Sequence, residues 1–99
     1  MTAYLALTQN VGDLDAYHGT YVPDVLPLLQ KHGIKVLAAH FGASPLEGSA
    51  DSLVILRADS ETAFHEFYDD PDYADLKALR QSITSNADMV VAPEFTPPT

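Results

Sequence analysis

Four short apolar stretches alternate with two helical periodicities in the order β-α-β-β-α-β, and this order predicts an α+β fold. The expected architecture is a four-stranded antiparallel sheet with both helices on one face. Strand signals fall at residues 3–9, 34–41, 53–58 and 88–93, and helical spacing runs through 14–31 and 60–83. A further observation bears on assembly. Each strand carries apolar residues on both of its faces, whereas two helices can cover only one.

In the first strand Leu5 and Leu7 share one face, and Tyr4, Ala6 and Thr8 share the other. Asp13 is placed to cap the helix that follows, where Leu14, Tyr17, Tyr21, Val25 and Leu28 recur at three- and four-residue spacing. Gly19 and Pro23 interrupt that pattern, so a kink or break is expected near Tyr21-Val22, with Pro23 opening a second piece. Lys31-His32-Gly33 ends the element, with basic residues in its last turn and glycine as the stop. The second strand, 34–41, is followed by an irregular loop, Gly42 to Ser52, containing Pro45 and Gly48, and then by the third strand. Asp59-Ser60 caps a helix carrying Ala63, Phe64, Phe67 and Tyr68. Asp70-Pro71 restarts it as far as about Ile83, with Asp70 as cap and Pro71 as first residue. The last strand is 88–93. Residues 1–95 are read as one domain, and 96–99, with Pro97-Pro98, as a loose tail.

The apolar residues left on the uncovered sheet face would form a patch that monomers avoid. A second copy packed sheet to sheet about a two-fold axis is the expected remedy. The chain holds 99 residues and no cysteine, so packing alone must stabilise it.

Asp and Glu number 14 against 5 Lys and Arg, a net charge of −9. That balance argues against nucleic acid and against anionic membrane surfaces as partners. It fits a hydrated surface suited to a salty cytoplasm, and equally an ordinary acidic protein kept soluble by its charge. No apolar run approaches the roughly 20 residues of a membrane helix, and the N-terminal residues do not read as a secretory signal. The expected location is cytoplasmic.

Several local groupings bear a resemblance to a known family. They are Asp15-Ala16-Tyr17 with Tyr21, His32-Gly33, Leu46-Glu47-Gly48, and Phe67-Tyr68-Asp69-Asp70-Pro71-Asp72-Tyr73 with Leu79-Arg80. Together they resemble the family catalogued as domain of unknown function number 1330, across nearly the whole chain. The family usually has Trp-Tyr where this chain has Phe67-Tyr68, a conservative change for packing. The resemblance implies a ferredoxin-like fold that pairs as a dimeric α/β barrel. It implies no agreed chemistry.

The candidate site residues are few. His40, late in the second strand, is placed on the face of Val36 and Ala38, and acts as a proton shuttle if that face lines a cavity. Glu47 sits on a glycine-flanked loop, where it serves as a general base or, alternatively, pairs locally. Arg57 shares a face with Leu53 and Ile55 and either binds a carboxylate or makes an intersubunit or strand-end salt bridge. Tyr17 and Tyr21, four apart, either offer hydroxyls to a ligand or pack as core. Arg80 is read as a partner of its helix's C-terminus. His65-Glu66 with Asp69 only echoes a zinc-binding helix, since the zinc motif needs a second His where Asp69 stands. His18 and His32 have no partner at ligand spacing. No metal or cofactor is therefore expected, and there is no phosphate-binding glycine loop, no serine elbow and no cysteine nucleophile.

Three functions stay open. A small-molecule enzyme, monooxygenase- or isomerase-like, would bring His40, Glu47, Arg57 and Tyr17 into a pocket between sheet and first helix, beside the Gly42–Ser52 loop. A non-catalytic or stress-related dimer holding an apolar or anionic metabolite would show a dry pocket with only tyrosine hydroxyls. A structural module would show no pocket.

Overall fold

The structure, a computed structural model, describes residues 1–98. Its elements are β1 (Ala3–Val11), α1 (Leu14–Ala16), a π-helical turn (Tyr17–Tyr21), α2 (Val22–Lys31), β2 (Lys35–Phe41), β3 (Ser52–Ala58), α3 (Glu61–Tyr68), a 3-10 turn (Pro71–Tyr73), α4 (Ala74–Ile83) and β4 (Thr84–Pro93). The four strands form one antiparallel sheet in the order β2-β3-β1-β4, with β1 and β3 at its centre. The fold class is therefore the expected α+β. Thr96–Pro98 has no regular structure, and Thr99, the end of the expected tail, lies outside the described residues.

Alternation along β1 decides which face is covered. Ala3, Leu5, Leu7 and Gln9 are buried, and Tyr4, Ala6, Thr8 and Asn10 between them are half-buried. Pairing carries the covered face across to Leu56 and Ala58 on β3, and to Met89 and Val91 on β4. The core closes with Tyr17, Tyr21, Val25, Leu28 and Leu29 from the first helical run, and Phe64, Phe67 and Tyr73 from the second.

The expected helix boundaries hold where side chains cap them. Asp13 accepts from the Ala16 N–H at 3.0 Å, Ser60 from Ala63 at 3.3 Å, and Asp70 from Asp72 at 2.9 Å. Gly33 leaves α2 at a φ of +70°, a conformation that costs glycine nothing. Of the kink or break expected near Tyr21-Val22, the structure shows no break but a continuous run containing a π turn, in which Val22 N–H bonds to the Tyr17 carbonyl. Pro23 explains it. Proline has no N–H to give the Gly19 carbonyl, and its ring would press on that group; a wider turn relieves both.

Both edge strands carry a bulge. In β2 the register passes from Val36↔Leu56 to Ala38↔Ile55, so Leu37 is the extra residue. In β4 it passes from Asp88 opposite Thr8 to Ser85 opposite Asn10, and Asn86 there adopts a positive φ of 54°. The bulge at Leu37 corrects one expectation. Val36 and His40 do not share a face: Val36, Ala39 and Phe41 point to the helix side, and Lys35, Ala38 and His40 to the open side.

Candidate functional site

The helices do not reach over the edge strand β2, and a cleft of about 160 Å³ opens there between the sheet and the first helical run. Leu7, Val54 and Leu56 form its floor, Tyr17, Tyr21 and Val25 its roof, and Phe41 its outer wall. Its surface is almost wholly apolar.

The π turn aims the roof. Four residues of α-helix overshoot a full turn by about 40°. Residues at strict four-residue spacing, such as Tyr17, Tyr21, Val25 and Leu29, would thus drift around an ordinary helix. The wider turn rotates less per residue and takes back that surplus, so all four reach the cleft. His18 comes with them. It stands at the mouth, its ring edge-on to Phe41 at 4.8 Å and to Tyr17 at 6.1 Å.

Behind the roof lies a chain of buried polar groups. Gln9 Nε2 donates to the Tyr17 hydroxyl at 3.0 Å, and Gln9 Oε1 is fully covered with no partner. The Tyr21 and Tyr73 hydroxyls share a hydrogen bond of 2.8 Å, and Arg80 Nε donates to Tyr73 at 3.4 Å. Arginine only donates. Tyr21 and Tyr73 have two O–H groups but one bond between them, so one hydroxyl proton is spare, and Tyr17 has another. Burial raises the pKa of both Tyr17 and Tyr21, the latter strongly, so both remain protonated donors. The tyrosines behind the roof thus keep spare O–H groups in an apolar setting, with Gln9 Oε1 as the one fully covered acceptor left without a partner.

Of the residues singled out from the sequence, Tyr17 and Tyr21 line this cleft. His40 and Arg57 lie on the opposite, open face of the sheet, paired with Leu53 and with Tyr4 and Lys35 respectively. Glu47 is exposed on the Gly42–Ser52 loop, none of which lines the cleft. The structure does not bring His40, Glu47 and Arg57 to the tyrosines. Arg80, read as a partner of its helix's C-terminus, does stand in the last turn of α4, but it is 4% exposed and belongs to the interior chain. Sequence reasoning named His18, Tyr73 and Arg80 without placing them in the site, and it left Gln9 unremarked. Among the described residues no three His, Asp or Glu side chains converge as metal ligands, and no helix is long and apolar enough to cross a membrane.

The family model described as Domain of unknown function (DUF1330) matches residues 2–95. The chain belongs to this family. No curated protein sequence is significantly similar to this DUF1330 protein. Solved structures share its fold. RPA0582 from Rhodopseudomonas palustris, a protein of unknown function, is 18% identical with a TM-score of 0.79, covering 97% of this chain and 84% of its own. A dimeric ferredoxin-like protein of unknown function from Thermobifida fusca is 19% identical with a TM-score of 0.58, covering 95% and 92%. SnoaB, a cofactor-independent oxygenase from Streptomyces nogalater, is 8% identical with a TM-score of 0.69, covering 97% and 95%. These likenesses establish the ferredoxin-like fold of the DUF1330 chain.

Proposed function

We propose that this DUF1330 protein binds a small apolar molecule bearing a hydrogen-bond acceptor, such as a cyclic ketone, in the cleft between β2, β3 and the first helical run. The observation that carries this reading is the pairing of apolar walls with spare tyrosine O–H donors from Tyr17 and the Tyr21–Tyr73 pair. An apolar guest gains from burial, and only a guest with an acceptor satisfies the donors.

A titration with 1-tetralone and its hydrocarbon analogue tetralin, followed by NMR, tests it. The ketone is expected to bind more tightly than the hydrocarbon. Tyr21→Phe with Tyr17→Phe should remove that difference, roughly tenfold for one to two neutral hydrogen bonds. Equal binding of the two probes, or none, would overturn the reading. Deuterium exchange at the carbon next to the ketone carbonyl separates binding from catalysis. Exchange accelerated by the protein and abolished in His18→Ala would make His18 a general base and the protein an isomerase-like enzyme.

The reading extends to assembly, as a homodimer joined through the open sheet face. Its centre is a stripe of Ala38, Ile55, Ala6 and Val90 across all four strands. Val90 is 62% exposed. Polar rows flank the stripe: Lys35, Arg57 and Tyr4 on one side, His40, Thr8 and Asp88 on the other. An apolar centre with a charged rim is the usual anatomy of a protein interface. Arg57 and His40 then belong to the interface, not to a catalytic set. The dimeric ferredoxin-like protein of T. fusca supports this arrangement by analogy of fold.

A further inference from the structure

Arg80 has no acid partner among the described residues. The residue is 4% exposed, yet the ion pairs among the described residues involve only Lys31 and His32, with Asp70 and Asp72. Its one hydrogen bond runs from Nε to Tyr73. Nη1 and Nη2 make none, and neither is sealed off, because Gln9 Oε1 is the one fully covered side-chain atom left without a partner. A chain with 14 carboxylates has placed none beside its most buried cation. Burying a guanidinium without a counter-charge is unfavourable, and a tyrosine hydroxyl offsets little of that.

Arg80 lines a recess of about 300 Å³ between the end of α4 and the start of β4. Gln81, Thr84, Ser85 and Asn86 line it, with no acidic residue among them. Through Tyr68 and Met89 it adjoins an apolar recess of about 260 Å³ walled by Phe64 and Val91. The last carbonyls of α4, which would repel an anion, are partly occupied: Thr84 Oγ1 donates to the Arg80 carbonyl and Ser82 Oγ to that of Leu79, both at 2.7 Å.

We infer that Arg80 anchors a second binding site, separate from the cleft, for an apolar carboxylate. The carboxylate would take the free Nη1–Nη2 edge in a two-pronged hydrogen bond. The apolar body would lie against Phe64, Tyr68, Met89 and Val91. Neither Tyr17 nor Tyr21 takes part, so this site stands or fails apart from the cleft.

The test is a titration of the full chain with sodium benzoate at fixed ionic strength, followed by amide NMR, with sodium chloride and sodium phosphate as controls. Saturable shifts in Gln81–Met89 are expected with benzoate and not with chloride. Arg80→Met should abolish them. Arg80→Lys, which keeps the charge but loses the fork, should weaken binding roughly tenfold and covers the case in which the methionine variant does not fold. Tyr21→Phe should leave benzoate binding unchanged. Benzoate shifts that match chloride, shifts that survive in Arg80→Lys at full affinity, or phosphate binding equal to benzoate would each overturn the proposal.

Discussion

Asp70 meets three donors at once: Lys31 Nζ at 2.8 Å, His32 Nε2 at 2.8 Å and the Asp72 N–H at 2.9 Å. It caps the second helical run and ties it to the end of the first. The hydrogen bond from Lys31, then those from His32 and Asp72, hold its carboxyl well below the usual carboxylate range. A lowered folded pKa means that the ionised form stabilises the fold above the unfolded value of about 3.9, and that this contribution is lost as pH falls from there toward the folded value. Urea unfolding of Asp70→Asn should therefore show a constant deficit against the parent between pH 5 and 7 that shrinks below about pH 4. A deficit that grows on acidification would contradict this assignment. The capping role was legible in the sequence, because Asp-Pro before an apolar run has a local meaning. The links to Lys31 and His32 were not, since they span 39 and 38 residues and exist only once the two runs pack.

Among the elements, the first helical run decides what the cleft can hold. Removing its π turn, by deleting Gly19 together with Pro23→Ala, should leave a regular helix in which Tyr17 and His18 rotate away from Phe41. Circular dichroism should remain that of an α+β protein, while 1-tetralone binding falls by roughly tenfold, the scale expected for loss of a hydrogen bond and an aromatic contact. Unchanged binding would show that the turn has no part in aiming the roof. The sequence marked this place, through Gly19 and Pro23, as a kink or break, without showing its form. Composition shows that a regular ring of hydrogen bonds fails there; it does not show which irregular ring replaces it. The strands were similar. Alternation in β1 gave the covered face correctly, while in β2 the extra residue Leu37 reversed the assignment of His40. A strict two-residue period cannot announce its own interruption. The burial of Arg80 was not legible for a related reason: its place near a helix end is a local property, and what covers it is not.

At the scale of the whole molecule, apolar residues on both strand faces were the clearest global signal in the sequence, and the open face bears the predicted patch. Light scattering at micromolar concentration should give about twice the 10.7 kDa chain mass. Ile55→Asp or Val90→Asp on the open face should return a folded monomer, because an unpaired charge at a buried interface costs several kcal/mol. Val91→Asp, one position along, faces the helices and should instead destabilise the fold itself. A monomeric parent, or variants that stay dimeric, would refute the arrangement. The electrostatics also fit: the cationic row of Lys35 and Arg57 lies across the patch from Asp88, which gives two copies opposite charges to align.

The two edge bulges have a consequence for what this protein avoids. A sheet border with an unbroken row of free N–H and C=O groups invites a strand from another molecule, and repetition of that event builds fibrils. Leu37 in β2 and the turn at Asn86 in β4 interrupt both borders, so a foreign strand laid along either loses its match within a few residues. Growth in the plane of the sheet is blocked at each end, and in the proposed dimer contact through the broad face would end after one addition, because it would hide the surface that made it. The irregularity that turned His40 away from the cleft thus also keeps an apolar chain, half covered by its own helices, from polymerising without limit.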